Sequence, residues 1–174
     1  MVAIADGMAA RGDFDDAYDM ATAVQAAYGD GAALASLAIR QAKARDFDAS
    51  LSTMAEIEVI EDLEVARAGI AKEMARDGQT DLALDIASQS LDRNTRFDAV
   101  QAIVTMLAGE GKADSAIEMA SAFAVRTDLD ELLSAIVITL AAAGDMTRAL
   151  ETALDIKDPM FRAIAFSGLA VFAD

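Results

Sequence analysis

A turn-like dipeptide recurs in this chain at a fixed interval, and that interval constrains the fold more than any other feature of its 174 residues. Gly12-Asp13, Arg45-Asp46, Gly78-Gln79, Gly111-Lys112 and Gly144-Asp145 each begin 33 residues after the one before. Three places after each first member stand Asp15, Asp48, Asp81, Asp114 and Thr147, whose side-chain oxygens can cap a helix N-terminus. Five places after come Ala17, Ser50, Ala83, Ala116 and Ala149, all small. Eight places before come Ile4, Leu37, Ile70, Ile103 and Ile136, all large and aliphatic. Agreement of this kind defines an internal repeat, and a period of this length marks an architecture built by stacking.

Each period reads as two helices. The first ends at the turn: in Thr95 to Ala108 the apolar residues Val100, Ile103, Val104 and Leu107 share one helical face. A glycine at the turn is the expected C-terminal cap, because it takes positive φ without a Cβ clash. The second helix is expected to start at the Asp or Thr three places on. It stops before a short polar link such as Leu91-Asp92-Arg93 or Lys157-Asp158-Pro159. Asp158-Pro159 reads as a cap followed by Pro at the first helical position. The pairs Asp92/Arg96 and Asp158/Arg162 then lie one turn apart. Eleven helices follow, near 1–11, 15–26, 30–44, 48–59, 63–77, 81–91, 94–109, 114–125, 128–143, 147–156 and 159–173. The fold class is all-α, a right-handed α-solenoid of about five stacked antiparallel helix pairs, with residues 1–174 as one repeat domain. No single unit can bury its apolar face alone, so neighbouring units share a core.

Composition supports this and limits function. About a quarter of the residues are Ala, which favours helices that approach closely. There are 30 acidic residues against 14 basic ones, for a formal charge of −16. Nucleic-acid binding relies on Lys and Arg displacing counterions, so no nucleic-acid partner is expected. Anionic membrane surfaces are disfavoured for the same reason. The longest charge-free run, near Leu132 to Gly144, is too short to span a bilayer, so no membrane insertion is expected. These features suit a soluble cytoplasmic or periplasmic protein. Asp exceeds Glu and Arg exceeds Lys, as in a GC-rich bacterial genome or a salty habitat.

The catalytic inventory is poor. The chain has neither Cys nor His, which removes thiolate and imidazole chemistry and the commonest transition-metal ligands. Acidic pairs such as Asp15/Asp16 and Glu61/Asp62 lie at helix starts, where carboxylates favour the positive end of the dipole. Asp13-Phe14-Asp15-Asp16 lacks the distal Glu of a calcium loop. No enzyme activity, cofactor or metal is expected. The Met residues, including Met54, Met74, Met106 and Met119, fall near the apolar columns and read as core.

At Leu37-Ala38, Ile70-Ala71 and Ile103-Val104, then at the Gly12-Asp13 and Gly144-Asp145 turns and at Ala17 and Ala149, the chain resembles tetratricopeptide repeats. That family places a large aliphatic and a small residue before a Gly-Asp turn and a small residue five places after it. The period here is 33 rather than 34, and the early Trp is absent. The Tyr before the turn is replaced by Met8, Gln41, Met74, Leu107 and Leu140, and the repeat-end Pro remains only near Pro159. The chain therefore resembles a divergent, Ala-rich version. Ankyrin and HEAT-type repeats are alternatives with poorer motif or period agreement.

The resemblance implies that the helix before each turn lines a groove for a peptide or helix of a partner protein. By register the polar groove residues are Lys72, Arg76, Asp98, Gln101, Thr105, Glu131 and Ser134, with Ile39 and Ile138 as apolar contacts. The excess of acid reads first as a solvated surface that keeps an apolar chain soluble, and second as attraction for a partner of basic character. Family members that grip C-terminal carboxylates use Lys, Arg and Asn, and the only Asn here, Asn94, is placed outside the groove by register. A second reading is a structural subunit contacting neighbours through its ends. The last helix carries Phe161, Phe166 and Phe172 on more than one face, which suggests cover by a second copy, giving a homodimer, or by further chain.

Overall fold

A computed structural model of the chain describes residues 2–90, 93–123 and 126–172. Eleven helices, and no strand, occur among them: α1 (Val2–Arg11), α2 (Phe14–Tyr28), α3 (Ala32–Lys43), α4 (Phe47–Ala55), α5 (Ile60–Arg76), α6 (Thr80–Ser88), α7 (Arg93–Gly109), α8 (Ala113–Phe123), α9 (Arg126–Ala142), α10 (Met146–Asp155) and α11 (Pro159–Val171). Leu91 and Asp92, with the proposed Asp92/Arg96 pair, lie outside the described residues, as does Val125. The protein is all-helical.

The five turns are built alike. Gly12, Gly78, Gly111 and Gly144 take φ between +78° and +89°, and Arg45 takes +67°. In each, the left-handed residue donates its N–H three residues back, as from Gly12 to the Ala9 carbonyl at 3.1 Å. The next residue donates five back, as from Asp13 to Met8 at 3.1 Å and from Asp145 to Leu140 at 2.9 Å. This is the Schellman closure, which satisfies carbonyls that a helix end leaves open.

The next helix begins one residue earlier than expected, and its N-cap stands two residues earlier. The helices after the turns start at Phe14, Phe47, Thr80, Ala113 and Met146, and Asp13, Asp46, Gln79 and Asp145 are N-caps. The residue that closes one helix with its N–H therefore opens the next with its carbonyl: Asp13 accepts from Ala17 at 3.0 Å, and Asp145 accepts from Ala149 at 3.0 Å. The Asp46 and Asp145 side chains also accept from Ala49 and Arg148 at 3.2 and 3.1 Å. Asp15, Asp48, Asp81 and Asp114 stand inside the first turn, exposed at the positive end of the dipole.

Arg45 is the exception that tests the turn. An L-residue in the left-handed region costs roughly 1–2 kcal/mol, whereas Gly carries no such penalty. Arg45 also pairs with Asp77, but its side chain is mostly exposed, and such pairs contribute about 0–1 kcal/mol. Arg45→Gly is therefore expected to raise stability by about 0.5–1 kcal/mol, and Gly78→Ala to lower it by about 1 kcal/mol. Urea midpoints that move in the same direction for both would contradict this account.

The chain divides into two compact units, 1–90 and 91–174. In the first, α1 packs on α2 and α3, α3 on α4 and α5, and α5 on α6. In the second, α7 packs on α8 and α9, α9 on α10 and α11, and α10 on α11. Within each unit the odd-numbered helices are thus neighbours.

The small column five places after the turn lies at the helix contacts. Ala17, Ser50, Ala83, Ala116 and Ala149 are all completely buried. Ser50, the one polar member, donates its hydroxyl to the Ala38 carbonyl at 2.8 Å. Leu37, Ile70, Ile103 and Ile136 are buried as well, while Ile4 is half-exposed on α1. Val24, Ile57 and Ile156, at 33- and 99-residue offsets, are buried near the ends of α2, α4 and α10 and anchor the links that follow.

Candidate functional site

In the second unit, three residues assigned to a groove by register come together. Asp98 and Gln101 of α7 and Glu131 of α9 line one cleft of about 320 Å³ with Arg93, Asn94, Phe97 and Asp128. The helical period explains the α7 contribution: Asn94, Asp98 and Gln101 are four and three residues apart and share a stripe. Arg93 holds Asp128 by two hydrogen bonds of 2.9 Å each, which neutralises that carboxylate. Asp98 and Glu131 have no ion-pair partner among the described residues. The cleft is consequently acidic on balance.

Asn94 lines this cleft, contrary to its placement outside the groove by register. The one Asn therefore does not argue against a carboxylate ligand. The two unpaired carboxylates do, because they would repel it.

The remaining groove residues are placed differently. Thr105 is half-buried and returns its hydroxyl to the Gln101 carbonyl at 2.8 Å. Ser134 is buried and donates to the Glu131 carbonyl at 2.8 Å. Neither hydroxyl is held out towards a ligand. In the first unit Lys72 is half-buried on α5, while Arg76 pairs with Glu73 at 2.9 Å. Arg76 lines a separate cleft of about 210 Å³ with Lys43, Arg45, Phe47 and Asp77.

Ile39 and Ile138 already pack within the protein. A Cβ on Gly69 would lie 2.5 Å from the Ile39 side chain, and one on Gly168 would lie 2.6 Å from that of Ile138. Both pairs span 30 residues and repeat at a 99-residue offset, so the missing side chain on one helix admits the isoleucine of its neighbour. Also across a 30-residue separation in the first unit, Ser36 donates to Asp6 at 2.6 Å, and Arg40 joins at 2.8 Å. The Ser36 hydrogen bond, then Arg40, holds the Asp6 carboxyl below its ordinary pKa. Sequence reading missed these pairings, although the columns six and nine places before each turn carry the signal.

Asp130 was also missed. It is only 3% exposed in α9, and its carboxylate accepts the N–H groups of Lys157 at 3.0 Å and Asp158 at 2.8 Å. Asp158 in turn caps α11 through Met160 at 2.8 Å. In the first unit Gln25 does related work, donating to the Glu56 carbonyl at 2.8 Å and accepting from Glu58 at 3.2 Å.

On α11, Phe161 is half-buried and Phe166 exposed, and Phe172, the residue that closes the helix, is exposed as well. Another face of the same helix, with Ile138 of α9, forms a shallow apolar groove of about 560 Å³. Of the Met residues singled out, Met54, Met74 and Met119 are buried and Met106 half-buried. Among the described residues no group of three acidic side chains is placed to hold a metal ion, and no helix is long and apolar enough to cross a membrane.

No family model, curated protein or solved structure matches this chain.

Proposed function

We propose that the protein is a non-enzymatic scaffold, a tetratricopeptide-like right-handed solenoid that binds a peptide or helix of a partner protein on the face of its odd-numbered helices. One observation carries the reading: Asp98, Gln101 and Glu131, which the register assigned to a groove, line a single cleft in the second unit. A cleft of that size walled by α7 and α9 suits side chains of a segment rather than an enclosed small molecule, and helical grooves commonly take peptides this way. Its two unpaired carboxylates favour a basic segment.

Selection of random 16-residue peptides on the purified protein tests the reading. Selected peptides are expected to lose at least tenfold in affinity when Asp98 and Glu131 are both changed to Lys, and to be unaffected by Glu118→Lys on α8. Peptides that ignore the first pair of changes would show that the α7–α9 face is not the binding surface.

A second reading, self-association, rests on the exposed Phe166 and Phe172. A contiguous apolar patch of several hundred Å² is uncommon on a monomer. Light scattering on the protein and on its Phe166→Glu/Phe172→Glu variant separates the two. A dimer that the variant dissolves supports self-association, and a monomer in both cases removes it.

A further inference from the structure

The partner segment can be specified further, on the premise that the chain binds a peptide. Within the second unit α9 is flanked by α7 and α11, and the face across these helices changes character. Asp98, Glu131 and Ile164 follow one another at 33-residue intervals, one on each helix. Contacts between residues 30 apart, such as Ile138 with Gly168, and 35 apart, such as Arg93 with Asp128, show that equivalent positions sit at similar levels. One level therefore reads acid, acid, isoleucine from α7 to α11.

The α11 edge is apolar along its length. Met160, Ile164, Gly168 and Val171 are spaced four, four and three residues apart and form one stripe. Met160 is 59% exposed, Ile164 44% and Val171 73%. Ala163 is small, and Ile138 of α9 fills the space beside Gly168, so the floor of the groove is apolar. Ile138 closes the α9 side, two turns and about 10 Å along the axis from Glu131. The polar flank is negative, because Asp98 and Glu131 are unpaired while Arg93 is committed to Asp128.

We infer that this face takes an amphipathic basic helix: its apolar stripe lies along α11, and its Lys or Arg residues, near the end level with Ile164, reach over α9 to Glu131, with Asp98 on α7 adding to the negative field beyond. Charge complementarity selects this occupant over a second copy of the chain. Each copy carries a formal charge of −16, and residues 91–174 alone hold 13 acidic residues against seven basic ones, so two copies would bring carboxylates to the same flank. The α11 stripe spans about 16 Å, so three turns of a partner helix cover it. Basic side chains reach Glu131 on α9 from its flank, one helix spacing or about 8–10 Å away, and Asp98 on α7 lies one spacing further.

Two labelled 16-residue peptides test the inference by fluorescence anisotropy. Both carry leucines at positions i, i+4, i+7 and i+11; one has three Lys on the flank at one end, the other three Glu there. The Lys peptide is expected to bind at least tenfold tighter than the Glu peptide. Asp98→Lys/Glu131→Lys should reverse that preference, and Ile164→Glu/Val171→Glu should abolish binding of both peptides, with helicity unchanged by circular dichroism. Equal binding of the two peptides, or a preference unaltered by the charge reversal, overturns the inference. So does a Lys peptide indifferent to the α11 changes, since general attraction to an acidic chain then accounts for it. Library peptides that depend on Asp98 and Glu131 yet show no basic bias would sink this inference alone and leave the peptide-binding reading standing.

Discussion

Ala116→Leu is expected to destabilise the protein by about 1–3 kcal/mol, with the urea midpoint falling and the slope unchanged. Ala116 lies in α8, fully buried, where α8 meets α7 and α9. Leu107 of α7, Met119 and Ala120 of α8 and Leu140 of α9 are also buried without residual exposure. Three added carbon atoms have no space there, and interiors are packed too densely to absorb them without moving a helix. Hydrophobic burial alone predicts the opposite sign, because leucine is more apolar than alanine. Leucine at Glu118, exposed on the same helix, is the control and should shift stability by less than about 0.5 kcal/mol. If the two variants melt alike, Ala116 is not at a close helix contact.

Asp130→Ala is expected to cost about 2–4 kcal/mol and to loosen α11 selectively. Hydrogen bonds to a charged group contribute about 1.5–3 kcal/mol each, and this carboxylate accepts two from the link before α11. Water can replace part of the loss, because that link is half-buried to exposed. The substitution acts beyond its own contacts, since Asp130 positions the backbone of Asp158 and the Asp158 side chain caps α11. Hydrogen exchange should accelerate in α11 while α7 and α8 keep their protection. Asp130→Asn, which retains one acceptor oxygen, should show a smaller effect of the same pattern. Uniform acceleration across the second unit would mean that Asp130 supports the whole unit rather than this junction.

The α11 face joins these results to binding. Asp130 lies in α9 next to Glu131 in sequence, and the link it holds leads directly into the helix bearing Met160, Ile164 and Val171. A variant that frees α11 should therefore weaken binding of an amphipathic helix without touching a binding residue, which separates positioning from contact.

Much of the fold was legible from one period. The turns at Gly12, Arg45, Gly78, Gly111 and Gly144 were readable because positive φ selects glycine strongly, and the 33-residue register exposes Arg45 as the same turn without one. The buried column at Ala17, Ser50, Ala83, Ala116 and Ala149 was readable because close helix contact leaves room for little else. The N-caps were misplaced by two residues for a local reason. Asp15 and its counterparts are good caps by type, but the Schellman closure makes Asp13, Asp46 and Asp145 serve both the helix they end and the helix they begin.

The sequence by itself thus determined the helical class, the turn positions and the buried columns, since each follows from steric preferences of single residues repeated five times. Only the tertiary structure decided which groove residues act together. It placed Asn94 with Asp98, Gln101 and Glu131, lodged Ile39 against Gly69 and Ile138 against Gly168, and turned the Thr105 and Ser134 hydroxyls back onto their own helices. It also paired Arg93 with Asp128 and left Asp98 and Glu131 unpaired. These outcomes depend on contacts between residues about 30 to 35 apart or on the rotamer a side chain adopts among its neighbours. Local preference favours a helix at all of these positions and cannot distinguish among the contacts that the helices then make.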